Sequence, residues 1–435
     1  MSFQSPSGKG FAHRLATGFL ISILPLFGQL TMEQATTIAL QKNRELLALR
    51  QRIPEAAGAK LQAGLRPNPT LDVSLSNGAI VRNNGYWDGA VGYSQLIELG
   101  KKRERRLEVA SSDLKVVELE VRERERMLRA SVQSAYVEAL AASRNLQTAE
   151  ELLKLTEQSA SVVSARVQQG EAPALDRSLL DVELGRVRAD LILFANQRSR
   201  ALSTIRILLG LSPQEPLSLE SKLELSPSAI VIAGEAVHQA LANRTDIQLL
   251  KQLESSSDAS IRLEKSMAVP NLTASTRFGY TYDFIQRINI GSGISVPITD
   301  RCPILTVGIS IDLPWRNKNQ GNIETAIARR QNVRLRREYQ EQLASQEVST
   351  AIERWEAARS SVQLFEKQVL EQSRANLQIV RGVYELGELR LLDYINEQRK
   401  LSDAQRTYTE LLKERYMSVV ELERATGVEV LKGKP

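Results

Sequence analysis

Few side chains in this 435-residue chain are of the kinds that carry reaction chemistry. Cys302 is the only cysteine, so no internal disulfide can form. A thiol with no recognisable triad partner reads as a packing or loop residue rather than a nucleophile. Histidine occurs only at His13 and His238. A divalent-metal centre draws on His, Cys or clustered carboxylates. Here His238 and Cys302 stand far apart, so neither a metal centre nor a cofactor site is expected. The chain contains no GxxxxGK[ST], HExxH or GxSxG. Acids abound, but beside bases, as in EVRERERMLR (120–129). That pattern belongs to a solvated helix face rather than to catalytic carboxylates or a nucleic-acid stripe. The chain therefore reads as neither an enzyme nor a nucleic-acid binder, despite its net charge of +6.

Two acids do stand out. Asp176 closes GEAPALD (170–176) and Asp393 closes GELRLLD (387–393), with Gly, Glu, Leu and Asp in register 217 positions apart. The echo belongs to a larger repeat. ALQKNRELLAL (39–49) is answered by ALANRTDIQLL (240–250) at an offset of 201, and NPTLDVS (68–74) by VPNLTAS (269–275) at the same offset. VGYSQLIEL (91–99) is answered by VGISIDLPW (307–315) at 216, and Gly210 by Gly427 at 217. The offset jumps by 15 between the second and third matches, which places an insertion near 283–300. A tandem duplication follows: residues 29–210 and 233–427, joined by a Pro- and Ser-rich linker (211–232) and followed by a tail (428–435).

The elements that must position these residues recur in each copy. A helix-like segment (32–63, 233–266) runs into proline, two strand-like runs follow, and then a very long helix. Residues 101–169 hold neither Pro nor Gly, enough for a helix of about 100 Å. Leu107, Leu114, Val121, Leu128, Ala135, Ala142 and Ala149 recur every seventh residue, as do Val348, Trp355, Val362 and Val369 in the second copy. Such stripes are the packing seam of a coiled coil. A glycine break and a returning helix complete the copy, capped by Gly210 or Gly427. The strands alternate, with Leu71, Val73 and Leu75 against Asp72, Ser74 and Ser76, and Leu305, Val307, Ile309 and Ile311 against Thr306, Gly308 and Ser310. Lys9 and Arg14 precede the apolar run LATGFLISILPLFG, so residues 1–28 read as a secretory signal peptide. In an exported chain these strands suit a membrane barrel, apolar outside and polar inside. Four strands cannot close, so several chains must share a barrel of 8, 12 or 16 strands.

The repeat and its phrases resemble the TolC family of outer-membrane efflux channels. The resemblance rests on ALQKNRELL, ALANRTDI, RPNPTLDVS, VPNLTAS, GEAPALD and YELGELRLLDYINEQRKL. SQLIELGKKRERR (94–106) and IDLPWRNKNQGNI (311–323) are similar to the heavy-metal, CzcC-like branch. The resemblance implies a mixed α and membrane-β fold. It implies a homotrimer whose 12-stranded outer-membrane β-barrel, four strands per chain, continues as a long periplasmic α-helical barrel. It implies a passive exit duct that contacts outer-membrane lipid and docks to a periplasmic adaptor (membrane fusion) protein and an inner-membrane RND pump. The cargo would be heavy-metal cations of the cobalt, zinc and cadmium or the copper and silver class. Gly170, Glu171, Asp176, Gly387 and Glu388 fall on the adaptor-docking hairpin tips. Asp393 falls on the first acid of the ring that constricts the periplasmic gate; Asn396 takes the second position and Leu389 the place of a gate arginine, both departures from the pattern. Glu98, Gly100, Pro314, Asn319 and Gly321 mark the barrel-to-helix junctions. The plain reading of Asp176 and Asp393 is an acid complementing a helix dipole. For KKRERR (101–106), a solvated helix start stands beside an anchor at the inner headgroup layer. Two other readings stay open, a channel of the same fold for drug or type I protein export and a soluble periplasmic coiled-coil adaptor.

Overall fold

A computed structural model describes residues 29–77, 86–220, 233–288, 291, 293 and 295–428. The segment expected to be a signal peptide (1–28), most of the expected linker and nearly all of the tail lie outside the described residues.

The first copy contributes helices α1 (Met32–Lys42), α2 (Arg44–Arg50) and α3 (Arg52–Ala63), strands β1 (Thr70–Asn77) and β2 (Trp87–Ile97), and helices α4 (Lys102–Gln168) and α5 (Ala174–Leu209). The second contributes α6 (Ala233–Asn243), α7 (Thr245–Met267), β3 (Leu272–Ile288), β4 (Ser295–Ile311), α8 (Gln320–Phe365), α9 (Glu371–Glu385) and α10 (Leu391–Thr426). The two returning helices α5 and α10 are both 36 residues long.

The segments 32–63 and 233–266 are not single helices. The first breaks at Asn43 and at Gln51, the second at Arg244. Pro54 accounts for the break at Gln51, because it cannot donate to Arg50 and its ring crowds that carbonyl. The breaks at Asn43 and Arg244 depend on partners far away in sequence. The second long helix is also interrupted, by a π turn at Glu366–Leu370. Val348, Trp355 and Val362 are buried as the seven-residue stripe requires, but Val369 is 37% exposed and Leu370 is buried at 3%. A π turn takes up one extra residue, so the stripe moves on by one position.

The four strands form one antiparallel sheet in the order β1-β2-β3-β4. The register puts Leu71, Val73 and Leu75, Val91 and Tyr93, Phe278 and Tyr280, and Leu305, Val307 and Ile309 on one face. That face is uncovered, with Leu75 73% and Val307 75% exposed; the polar face is covered only at the centre of β2, at Ala90 and Gly92, while Asp72, Arg277 and Thr306 on it are exposed. Ile304 is an apolar exception on the polar face. There Arg277 reaches across Gly92 to Asp72 at 2.9 Å, and Thr281 donates to Asp88 at 3.0 Å. The insertion in the second copy lengthens the hairpin, with 17 residues in each of β3 and β4 against 8 and 11 in β1 and β2.

Helix packing begins from the small residues of α4. Val132, Ala139, Leu140 and Ala142 pack with Ala35, Ala39, Leu46, Leu202, Ile205 and Leu209 into one core. In the second copy Val348, Ala351 and Ile352 pack with Ala236, Ala240, Leu422 and Ala425. The chain segment at Leu30 runs beside Leu219, and the buried Tyr136 hydroxyl donates to Leu30 O at 2.8 Å. Burial pushes the Tyr136 phenol up to about 12.

Candidate functional site

Both helical hairpins turn on glycine. Gly170 has φ +78° and Gly387 φ +83°, the left-handed region that glycine enters without strain. Glu171 N–H donates to Arg166 O at 2.8 Å and Glu388 N–H to Val383 O at 3.2 Å, closing each helix end. Gly170, Glu171, Gly387 and Glu388 are all exposed at the tips. Asp176 and Asp393 both lie in the first turn of a returning helix, where negative charge complements the dipole. They differ in surroundings. Asp176 is half-buried and near Tyr384, whose hydroxyl also meets Arg166. Asp393 and Asn396 are exposed, one turn apart, on the side of α10 away from buried Leu391, Tyr394, Ile395 and Gln398.

The two tips are clasped together. Val163 and Leu180 of the first hairpin pack with Leu391, Tyr394 and Ile395 of the second. The Tyr384 and Tyr394 rings stack at 5.4 Å, and Gln398 donates to the Tyr394 hydroxyl at 2.7 Å. Leu389 is half-buried beside this clasp's helix start and supplies no charge.

At the other end of the long helices lie the sheet junctions. Gly100 and Lys101 are both left-handed (φ +70° and +60°) and turn the chain from β2 into α4. A Cβ on Gly100 would sit 2.8 Å from that of Val269, so glycine is required there twice over. Glu98 is held by two hydrogen bonds from Arg106, one at 2.9 Å, which draw its carboxyl below the usual range. Asn319 repeats the left-handed turn (φ +59°) ahead of α8, and its amide donates to Glu264 O at 2.9 Å and Oε2 at 2.7 Å. Pro314 is half-buried just before it, and Gly321 is exposed with open space around its Cα. The KKRERR run is not uniform. Lys102 is buried and donates to Asn271 at 2.6 Å, Arg105 pairs with Glu108, and Arg106 with Glu98. Lys101 and Arg103 stay exposed.

A duplicated chain that gives one β-hairpin and one long helical hairpin per copy is matched by the family model described as Outer membrane efflux protein, over residues 36–211 and 236–428. The chain belongs to this family. Among curated relatives it is similar to the cobalt-zinc-cadmium resistance protein CzcC of Cupriavidus metallidurans, 23% identical over 413 residues that cover 93% of each chain. It is similar to the pyoverdine export outer membrane protein OpmQ of Pseudomonas putida, 23% identical over 92% of this chain and 86% of that one. It is also similar to the cation efflux system protein CusC of Escherichia coli, 22% identical over 69% and 64%. Of solved structures, a crystal structure of CusC shares its fold with a TM-score of 0.71 at 19% identity over 92% of each chain, and the outer-membrane channel OprN with 0.71 at 20% over 92% and 90%. This family member is an efflux channel of the outer membrane that extends into the periplasm. That sets aside the soluble adaptor.

One part of the efflux protein's tip region escaped the sequence reading. The Glu183 carboxylate, 3% exposed, accepts from Arg186 at 2.6 Å and from Arg399 at 2.9 Å, and Asp190 accepts from Arg406 at 2.8 Å. Burial works against this carboxylate, but the hydrogen bonds from Arg186 and Arg399 win and hold Glu183 below the usual range. These rungs tie α5 to α10 above the apolar clasp. The signal was present: acids at 176, 183 and 190 and bases at 399, 406 and 413 recur every seventh residue.

Proposed function

We propose that three copies of this chain close a 12-stranded barrel in the outer membrane, and that their helices continue it as a periplasmic duct for heavy-metal cations. The carrying observation is the sheet. Its continuous apolar face is covered by nothing in the described chain, and its outer strands β1 and β4 each have one edge unpaired within the described chain. In lipid each unpaired backbone group costs several kcal/mol, so the two edges call for each other on neighbouring copies. From Leu272 to Tyr282 the strand advances about 33 Å, and at the ordinary barrel tilt this spans about 25 Å, the height of an outer-membrane apolar band.

Within this reading, Asp393 with Asn396 lines the periplasmic mouth. Gly170, Glu171, Asp176, Gly387 and Glu388 form the surface met by a periplasmic adaptor, and an inner-membrane RND pump drives the cargo. Metal cargo is supported by CzcC and CusC, whose names specify cation resistance and efflux. OpmQ supports a second reading, an organic exported molecule. His238 lies in α6 and Cys302 in β4, so the choice of cargo is assigned to the pump rather than the duct. Two measurements test the proposal. Unheated protein should migrate as a heat-modifiable trimer, and loss of the chain should lower tolerance to cobalt, zinc, cadmium or copper. A monomer in mild detergent would overturn the shared barrel. Unchanged metal tolerance with lost export of an organic compound would favour the second reading.

A further inference from the structure

The apolar face of the sheet does not end with the sheet. Beyond Ile311 the same parity continues through Leu313, 70% exposed, to Trp315, 83% exposed. Trp315 N–H donates to Leu313 O at 2.8 Å across Pro314, so a tight backbone turn holds the indole out. Ile311 pairs with Leu272, and Leu272 with Ile97, which brings both helix–sheet junctions to one level of the sheet. At that level Arg66, Lys101, Arg103, Arg316 and Lys318 are exposed, against the exposed acids Asp312 and Glu104. Around them Glu98 is held by Arg106, Lys102 by Asn271 and Glu264 by Asn319, while Lys265 and Glu324 add one exposed base and one exposed acid. Trp87, Tyr280 and Tyr282 form a second aromatic row about one apolar band away.

We propose that this collar binds anionic phospholipid of the periplasmic leaflet, with the Trp315 indole among the glycerol and carbonyl groups and Arg103, Arg316 and Lys318 around the phosphates. Tryptophan favours that layer because its ring is apolar and its N–H needs a polar partner. Bases flanking it attract a negative headgroup over a zwitterionic one. Two features select lipid as the occupant: continuity with the apolar band and an excess of exposed positive charge. The collar rests on the barrel reading, and its test separates the two.

Two single-tryptophan trimers are made, one keeping Trp315 (Trp87→Phe with Trp355→Phe), the other keeping Trp87 (Trp315→Phe with Trp355→Phe). Each is reconstituted in phosphatidylethanolamine vesicles containing phosphatidylglycerol, with bromine on the acyl chains of one lipid or the other at equal amounts. Trp315 should be quenched at least about twofold more by brominated phosphatidylglycerol. Trp87, at the far edge of the band, should be quenched alike by both. Adding Arg103→Gln, Arg316→Gln and Lys318→Gln should make Trp315 indifferent to the headgroup; Lys101 is left alone because of its left-handed backbone. Quenched Trp87 with Trp315 indifferent or unquenched in the parent overturns the collar and leaves the barrel standing. Unquenched Trp87 overturns the barrel and the collar with it.

Discussion

The chain bends twice where a returning helix meets the break in a short helix pair, and the two bends solve one problem with different chemistry. In the first copy Gly210 caps α5 against Asn43. In the second Gly427 caps α10 against Arg244, which holds the matching position 201 residues later. Each break residue reaches the carbonyl two positions before its glycine, Asn43 to Leu208 O at 2.9 Å and Arg244 to Ala425 O at 3.3 Å. Asn43 also caps α2, accepting Leu46 N–H at 3.0 Å. An arginine cannot accept, so at the second bend capping passes to Asp246, which takes Ile247 N–H at 2.9 Å. Asp246 and Glu347 then neutralise Arg244, which is 1% exposed, each at 2.6 Å. Arg126 of α4 approaches Asp246 at 3.9 Å and donates to Arg424 O, and Thr245 meets Glu123. The first bend has a neutral break residue, and its ion pairs, Glu45 with Arg124 and Arg50 with Glu125, stay within its own copy. The second has become an ionic joint that also fastens one copy to the other.

If that contrast is right, removing the break residue should hurt the second bend more. Arg244→Met removes the cation that Asp246 and Glu347 share and leaves them only the more distant Arg126, at 3.9 Å, and Arg424, at 3.7 Å. A loss of about 2–4 kcal/mol is expected, discounted because both carboxylates keep some solvent contact. Hydrogen exchange across α6 and α7 should show it, with α1 and α2 unchanged.

The glycines should rank the other way. A Cβ on Gly210 would lie 2.4 Å from Lys42 O, and backbone there cannot yield cheaply. At Gly427 the nearest atoms, at 3.4 Å, belong to Arg244. Both carry a left-handed φ, so Gly427→Ala should cost about 1–2 kcal/mol and Gly210→Ala about 1 kcal/mol or more beyond that in thermal unfolding. Equal losses would mean that the conformation alone matters and the close approach does not.

Asn43→Ala should cost about 1–2 kcal/mol, one cap and one cross-link, and loosen only the first bend.

The smallest effect expected is that of acid. Burial opposes the Asp246 carboxylate, but Arg244, with Arg126 behind it, holds it below the usual range. A depressed carboxylate contributes fully above its unfolded value of about 3.9 and loses that contribution as pH falls through the lower folded value. Exchange should therefore rise in α6 and α7 on acidification before it rises in α1 and α2, where Asn43 does not titrate. The Glu183 rungs obey the same sign. Equal responses at the two bends would remove the ionic distinction.

Much of this architecture was readable beforehand. The duplication, the proline-free long helices, the glycines at 170, 210, 387 and 427 and the strand alternation are local patterns, and the structure places elements accordingly. The shift from Val369 to Leu370 was not readable, because a π turn leaves the composition unchanged and alters only the phase. The Glu183 and Arg399 contact was visible as two charge periodicities but not as a pair, because nothing in either stripe names its partner.

What the sequence determined by itself is periodicity and punctuation: which segments are helix or strand, which face is apolar and where the chain must turn. Those follow from each residue's own backbone preference and its near neighbours. What only the tertiary structure decided is which charges meet: Arg244 with Glu347, Glu183 with Arg399, Lys102 with Asn271. It also decided that the apolar sheet face stays uncovered within the chain while Trp315 stands free at its edge. Those contacts join positions up to 216 residues apart, and depend on how long helices lie against one another, a relation that no local pattern encodes.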